Sequence, residues 1–228
     1  LWSVQPPILA LALYMTAGNL PIHELRFVLV CLLVLVWSFR LTGNWIRGWG
    51  GLSHHDWRYG MLRHASGRWF PLVNLGGIHL FPTVQVFLGT LPLLAVTRSA
   101  KALGVVDLLA VVLGLLAVGI EAHADTQLRS FRTTENGGEA VCDSGLWAMC
   151  RHPNYLGEIL FWWSVYGFAL AAGWQWWPMG VGALSISVMF RFLSVPMIER
   201  RHQQRRPDYR SYMQRVPMLL PALRRREK

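Results

Sequence analysis

Six long apolar stretches, separated by short segments that carry nearly all of the charge, constrain this chain more than any other feature. They run from about Pro6 to Leu20, Leu25 to Leu41, Pro71 to Thr97, Leu103 to Ile120, Pro153 to Ala171 and Trp174 to Val195. A helix needs roughly 20 residues to cross a bilayer core of about 30 Å, with about 17 as the lower limit, so the first stretch is marginal and the others suffice. Of the 228 residues only 15% are charged and 53% are hydrophobic, whereas a soluble domain of this size carries charge over its whole surface. The expectation is an all-α fold, a polytopic membrane helix bundle of about six, or seven, transmembrane helices forming one domain over residues 1–228. Pro21 keeps a short re-entrant hairpin open as the rival reading of the first two stretches. Leu1 to Gly18 has no basic leader and no initiator Met, which reads as a trimmed first span rather than a signal peptide.

Arginine and lysine set the expected orientation. Five lie between Arg40 and Pro71, three between His123 and His152 and ten between Met197 and Lys228, while the opposite side has only Arg26, Arg98 and Lys101. The positive-inside rule makes the basic side cytoplasmic, with both termini and all the long polar connections there. The net charge of +10 has the same origin, together with anionic lipid, so no nucleic-acid partner is expected. Cys31, Cys142 and Cys150 show no metal-ligand spacing, and no metal is expected. GxGxxG, P-loop and HExxH motifs are all absent, which leaves a soluble dinucleotide fold, an ATPase and a zinc protease without support.

Ionisable residues inside apolar runs are costly unless paired or facing a wet cavity, so they mark function by default. Arg40 ends the second stretch, Glu158 lies five residues into the fifth, and Arg191 lies five residues before Pro196. Five residues rise about 7.5 Å, which puts Glu158 and Arg191 at similar depth on adjacent antiparallel helices. They form either a structural ion pair or the walls of a cofactor cavity. The segment from Glu121 to Tyr155 is the richest: on a continuing helix Glu121, Asp125, Arg129 and Arg132 share one polar face. Arg151-His-Pro-Asn-Tyr155 then opens the next span, and Pro153 near the helix start leaves Asn154 and Tyr155 at a positive helix end that suits a phosphate or carboxylate. Arginines with bidentate donors, beside an acid able to hold a ribose, are what a phosphorylated nucleotide needs. Glu199-Arg-Arg-His202 and Arg205-Arg-Pro-Asp208-Tyr209 continue the polar surface, with a lipid-bound basic tail as the plainer reading of the arginines. Trp45, Trp49, Trp57 and Trp69 alternate with Arg47, Arg58, Arg63 and Arg68, a pattern for the headgroup layer that would also roof a cavity.

Gly145-Leu-Trp-Ala-Met-Cys-Arg-His-Pro-Asn-Tyr-Leu-Gly-Glu-Ile-Leu-Phe-Trp162, with Asn44-Trp-Ile-Arg-Gly-Trp-Gly-Gly-Leu52 and Asp56-Trp-Arg-Tyr59, resembles bacterial membrane reductases of the DUF1295 type. These are grouped with the steroid 5-alpha-reductase C-terminal domain, and the resemblance covers about Arg40 to Pro221. Isoprenylcysteine carboxyl methyltransferases share the Arg-His-Pro-x-Tyr-x-Gly core, while the longer form through Asn154 and Glu158 is closer to the reductases. The resemblance implies a bundle closing over NADPH from the cytosolic side of a bacterial inner membrane and passing hydride to a conjugated enone. It implies cofactor contacts at His123, Asp125 and Arg129, at Asn154 and Glu158 near the nicotinamide, at Arg40 near the pyrophosphate, and at Asp208 and Tyr209. The residues themselves add Arg132, Arg151, Tyr155, Arg191 and His202 to the cofactor side.

The family's substrate tyrosine, three residues before the early arginine, is replaced here by Trp37. The donor to the enone oxygen is therefore sought elsewhere: Tyr59 first, with His54, His55 or a protonated Asp56 as alternatives, and Glu158 counted among the catalytic groups. The competing expectations are S-adenosylmethionine-dependent methyl transfer and a lipid-binding membrane protein without catalysis. A hydrophobic small-molecule substrate and membrane lipid are the expected partners.

Overall fold

The computed structural model describes residues 2–18, 22–51, 57–133 and 140–221, and among them every regular element is helical. After a 3-10 turn at Trp2–Val4, α1 spans Gln5–Ala17 and α2 spans Glu24–Gly48. The helix α3 covers 57–96, α4 spans Val105–Arg132 and α5 is the short Leu146–Met149. Next come α6 at Pro153–Ala172, α7 over 174–205 and α8 at Tyr209–Arg215. Five of them, α2, α3, α4, α6 and α7, are long and apolar enough to cross a membrane.

The first apolar run yields only 13 helical residues, about 20 Å, which is short of a full crossing by itself. It packs against the second run instead. Ser3 Oγ meets Thr42 Oγ1 at 2.9 Å, Ser38 donates to the Ser3 carbonyl at 2.6 Å, and Tyr14 stacks on Phe27 with centroids 5.0 Å apart. Contacts of 3 with 38 and 42, and of 14 with 27, lay α1 antiparallel along α2.

A single register organises α2 and α4, which run parallel. Arg26 pairs with Asp107, Arg40 with Glu121 and Asn44 with Asp125, each across 81 positions of sequence. The buried residues of α2 (Arg26, Val30, Leu33, Trp37) and of α4 (Asp107, Ala110, Gly114, Ala117, Glu121) follow the seven-residue repeat of a coiled-coil seam. Small residues on α4 let neighbours approach closely, as membrane helix packing requires. A Cβ at Gly114 would strike the side chain of Leu33 and lie 2.5 Å from Ser164 Oγ. Across the antiparallel α4–α6 contact, a Cβ at Gly157 would strike Glu121 and come within 2.8 Å of the Ala117 carbonyl. Glu121 and Glu158, two of the acids of the site, thus lie where Gly157 brings α4 and α6 together.

At the end of the bundle away from most of the arginines, Arg26 is fully buried and fully bonded. Its Nε and Nη2 hold the two Asp107 oxygens at 2.7 and 3.0 Å, and its remaining contacts reach the carbonyls of Lys101 (2.8 Å) and Ala102 (3.0 Å). Asp107 also accepts the Gly104 amide at 2.9 Å, capping the start of α4. Above the polar half, Trp37 stacks on Phe161 at 4.9 Å and meets Trp162 edge-on at 5.2 Å, closing the apolar core.

Two of the long helices contain a π-helical segment: Asn74–Leu80 in α3 and Phe190–Ser194 in α7. A proline follows each closely, Pro82 and Pro196. Having no N–H, each leaves the carbonyl four residues back without its ordinary partner, and the wider turn takes up the mismatch.

Candidate functional site

The seam between α2 and α4 ends, at the basic end of the bundle, in a cluster of charged groups. Arg40 splits its guanidinium between two acids, donating from Nη2 to Glu121 Oε1 and from Nη1 to Asp125 Oδ2, both at 2.9 Å. Asn44 donates to the same Asp125 oxygen at 3.0 Å and accepts from Arg129 through its carbonyl. From α6, Asn154 lies beside Asp125, and Glu158 lies against Glu121. Both oxygens of Glu158 are capped by indoles: Trp37 Nε1 donates to Oε2 and Trp162 Nε1 to Oε1, each at 2.9 Å. Three carboxyl groups thus face two guanidinium groups. The cluster is also incomplete, because Arg40 Nε, Glu121 Oε2 and Asn154 Oδ1 are buried with no hydrogen-bond partner. Buried polar atoms of this kind are rare and call for a ligand or water.

Asn154 joins this cluster to a cavity of about 140 Å3. Its walls include Leu128 and Arg132 of α4, Arg151, His152, Asn154 and Tyr155 at the start of α6, His202 of α7, and Arg206, Tyr209 and Tyr212. Among the described residues no Asp or Glu lines it. Asp125, Leu128 and Arg132 are three and four residues apart, so one face of α4 serves both cluster and cavity. Arg132 and Arg206 lie close enough to repel each other, and burial together with that neighbour holds Arg206 below its ordinary range. Neither forms an ion pair with an acid among the described residues; Arg206 only reaches His202 Nδ1, at 3.2 Å. Burial pushes the Tyr209 and Tyr212 phenols above their ordinary range, which keeps both neutral. It also pushes the Cys150 thiol up to about 11 and raises Cys142, so neither is a thiolate at neutral pH.

The cavity is fastened from behind. Glu199 of α7 accepts from Arg151 Nε at 2.7 Å and lies 3.0 Å from His152 Nε2. Arg151 Nη1 then reaches the carbonyls of Met213 (3.0 Å) and Val216 (2.6 Å), and its backbone amide reaches Pro217 at 2.9 Å. Tyr212 donates to the Trp147 carbonyl at 2.6 Å. With Nε and Nη1 engaged in this way, Arg151 fastens α8 to the wall of the cavity.

The residues singled out from sequence divide accordingly. Arg40, Asp125, Arg129, Asn154 and Glu158 meet in the cluster, and Arg132, Arg151, Asn154, Tyr155, His202 and Tyr209 line the cavity. Four lie elsewhere. His123 is two residues from Asp125, about 200° around the helix, and is exposed beside Gln127 at 3.1 Å. Arg191 turns outward over the Phe192 ring at 5.1 Å, so the Glu158–Arg191 ion pair does not form. The Asp208 side chain is exposed, and its contribution is a backbone carbonyl accepting the Tyr212 amide at 3.1 Å. Tyr59 is 38% exposed in the first turn of α3 and makes no contact with the cluster. Asp56, His54 and His55 lie outside the described residues.

Sequence reasoning missed Trp37, Trp162, Asn44 and Glu199 as members of the site. Trp37 stands where the family resemblance has a tyrosine, and its indole N–H is a donor in its own right. The common seven-residue spacing of Arg26, Leu33 and Arg40 with Asp107, Gly114 and Glu121 was the signal that pairs α2 with α4.

These helices define a polytopic membrane protein with a charged site built into one end of its bundle. Residues 1–216 match the family described as "Protein of unknown function (DUF1295)", and the chain belongs to that family. It is also similar to an uncharacterized protein of Schizosaccharomyces pombe, 26% identical over 247 residues that take in 98% of this chain and 71% of the fungal one. No solved structure matches the chain.

Proposed function

We propose that the protein is an NADPH-dependent reductase of a conjugated C=C bond in a lipidic enone, with its cofactor site at the cytoplasmic end of the bundle. The observation that carries this reading is the pair Arg132 and Arg206, held close together in a cavity that no carboxylate lines among the described residues. Like charges kept together in partial burial favour an anion between them, and a phosphate matches both the donors and the cavity's size. The rest of the cluster suits the remainder of a nucleotide. Asp125 and Asn44 offer acceptors and donors for ribose hydroxyls, and the unpartnered Arg40 Nε and Asn154 Oδ1 await further polar groups. The resemblance of the Arg151-to-Glu158 segment to membrane reductases supplies the reaction class. S-adenosylmethionine offers a single carboxylate and no phosphate, a poorer match to two arginines.

NADPH, when bound, supplies the hydride. The chain's own residues do the rest: Arg132, Arg206 and His202 hold the phosphate end, and the indoles of Trp37 and Trp162 fix the Glu158 carboxylate at the floor of the apolar core. Trp37, Phe161 and Trp162 exclude water above it, which strengthens every polar interaction below. The orientation follows the basic loops, which gather at the end carrying the site.

The test is a set of titrations on detergent-purified protein with NADPH, NADH and S-adenosylmethionine. NADPH is expected to bind about 10- to 100-fold more tightly than NADH, the size of one or two charge-assisted hydrogen bonds, and Arg206→Gln should erase most of the difference. Binding of S-adenosylmethionine alone would replace the reductase reading with methyl transfer.

A further inference from the structure

A second cavity, of about 350 Å3, opens on the apolar flank of the bundle between α3 and α7. Phe81 and Gln85 line it from α3, and Val181, Leu184, Ser185, Val188, Met189 and Leu193 from α7. Leu184, Val188 and Leu193 are about half exposed, on a face that meets lipid in a membrane-spanning bundle. Within this apolar wall sits one buried amide. Gln85 is 8% exposed, and the Ser185 hydroxyl donates to its Oε1 at 2.7 Å, a shorter contact than the 2.9 Å from the same hydroxyl to the Gly182 carbonyl. No hydrogen bond forms at Gln85 Nε2 among the described residues, and that nitrogen is not sealed inside the protein. It is an amide donor opening on an apolar groove.

Its depth makes this costly. Gln85 lies 11 residues before Val96 and Ser185 lies 11 after Trp174, so each is about 16 Å from its helix end, near the middle of a bilayer core. No water is present there to satisfy an amide, and an unpaired donor in hydrocarbon costs several kcal/mol by transfer measures. An occupant bearing an acceptor removes that cost. The two π-helical segments adjoin the same groove, since Phe81 follows the one in α3 and Leu193 belongs to the one in α7. Such segments are frequent where a helix serves a ligand.

Residues next to the groove touch residues of the site. Gly89, one turn beyond Gln85, presses on the Trp162 ring, whose indole N–H holds Glu158. Met189 of the groove precedes Phe190, which packs on Tyr155 of the basic cavity at 4.6 Å.

We propose that this groove binds a membrane lipid with an apolar chain and a carbonyl oxygen, and that Gln85 Nε2 donates to that oxygen while the chain fills the wall of α7. This deepens the reductase reading by placing its substrate, but the binding itself requires no cofactor. The test uses protein in phospholipid nanodiscs and two photoactivatable probes, a long-chain diazirine ketone and the matching diazirine hydrocarbon. The ketone is expected to label peptides of α3 and α7 more strongly than the hydrocarbon. Gln85→Leu should lower ketone labelling about five-fold, the size of one hydrogen bond, and leave the hydrocarbon unchanged. Leu184→Trp, at a lipid-facing position, should block both probes by filling the groove. Equal labelling by the two probes, or ketone labelling indifferent to either substitution, overturns the proposal. Labelling that depends on Gln85 in a protein that binds no NADPH would keep the lipid site and remove the reductase.

Discussion

Arg26 and Arg40 lie on the same face of α2, about 21 Å apart, and each reaches an acid 81 positions further along the chain. The geometry of the two pairings is the same and their completeness differs. Around Arg26, both Asp107 oxygens, two carbonyls and the Gly104 amide leave no polar atom without a partner. Around Arg40, one guanidinium nitrogen, one carboxyl oxygen of Glu121 and the Asn154 carbonyl are left over, and the cluster adjoins a cavity. A closed ion pair of this kind fastens helices; an open one at the other end of the same seam has capacity to bind. Burial of charge alone does not separate structure from function, whereas the tally of satisfied atoms does.

The comparison breaks first at its closed end. Arg26→Leu leaves Asp107 buried and uncompensated and is expected to cost about 3–5 kcal/mol, read as a large fall in thermal midpoint in detergent. The double change Arg26→Leu with Asp107→Leu should recover most of that loss, since neither charge then remains. A double variant no more stable than the single one would show that the pair does more than fasten.

At the open end the larger effect should fall on ligand rather than on stability. Arg40→Leu is expected to weaken NADPH about 10- to 100-fold in titration, with a smaller drop in thermal midpoint than Arg26→Leu. Equal stability losses at the two ends would dissolve the distinction. The smallest effect sharpens it: Trp37→Phe removes one of the two indole donors to Glu158, keeps the ring stack on Phe161, and should cost about 1–2 kcal/mol in unfolding measurements.

Much of this was legible in the chain. The apolar runs give the membrane bundle, because only a helix satisfies its backbone inside lipid. The polar face from Glu121 to Arg132 emerges from helical spacing, and so does the helix start at Pro153. Other parts depend on which helices become neighbours, which spacing does not reveal. Glu158 and Arg191 stand at matching distances from their helix ends, yet the π-helical turn at Phe190–Ser194 accompanies an outward Arg191, and the carboxylate takes two indoles instead. His123 was placed with Asp125 by resemblance and falls on another face by helix geometry. Gln85 is a single amide in an apolar run, and only the packing of α3 against α7 gives it a groove.

The parallel pairing of α2 and α4 also sets an order of events during biosynthesis. Arg26 enters the bilayer with α2, but the acid that neutralises it is encoded 81 residues later, beyond the whole of α3. At ribosomal speeds of about 5–20 residues per second that interval is roughly 4–16 s. During this time Arg26, two residues inside the start of α2, has no Asp107 and keeps its guanidinium at the membrane surface. The seam between α2 and α4 closes only when Asp107 arrives.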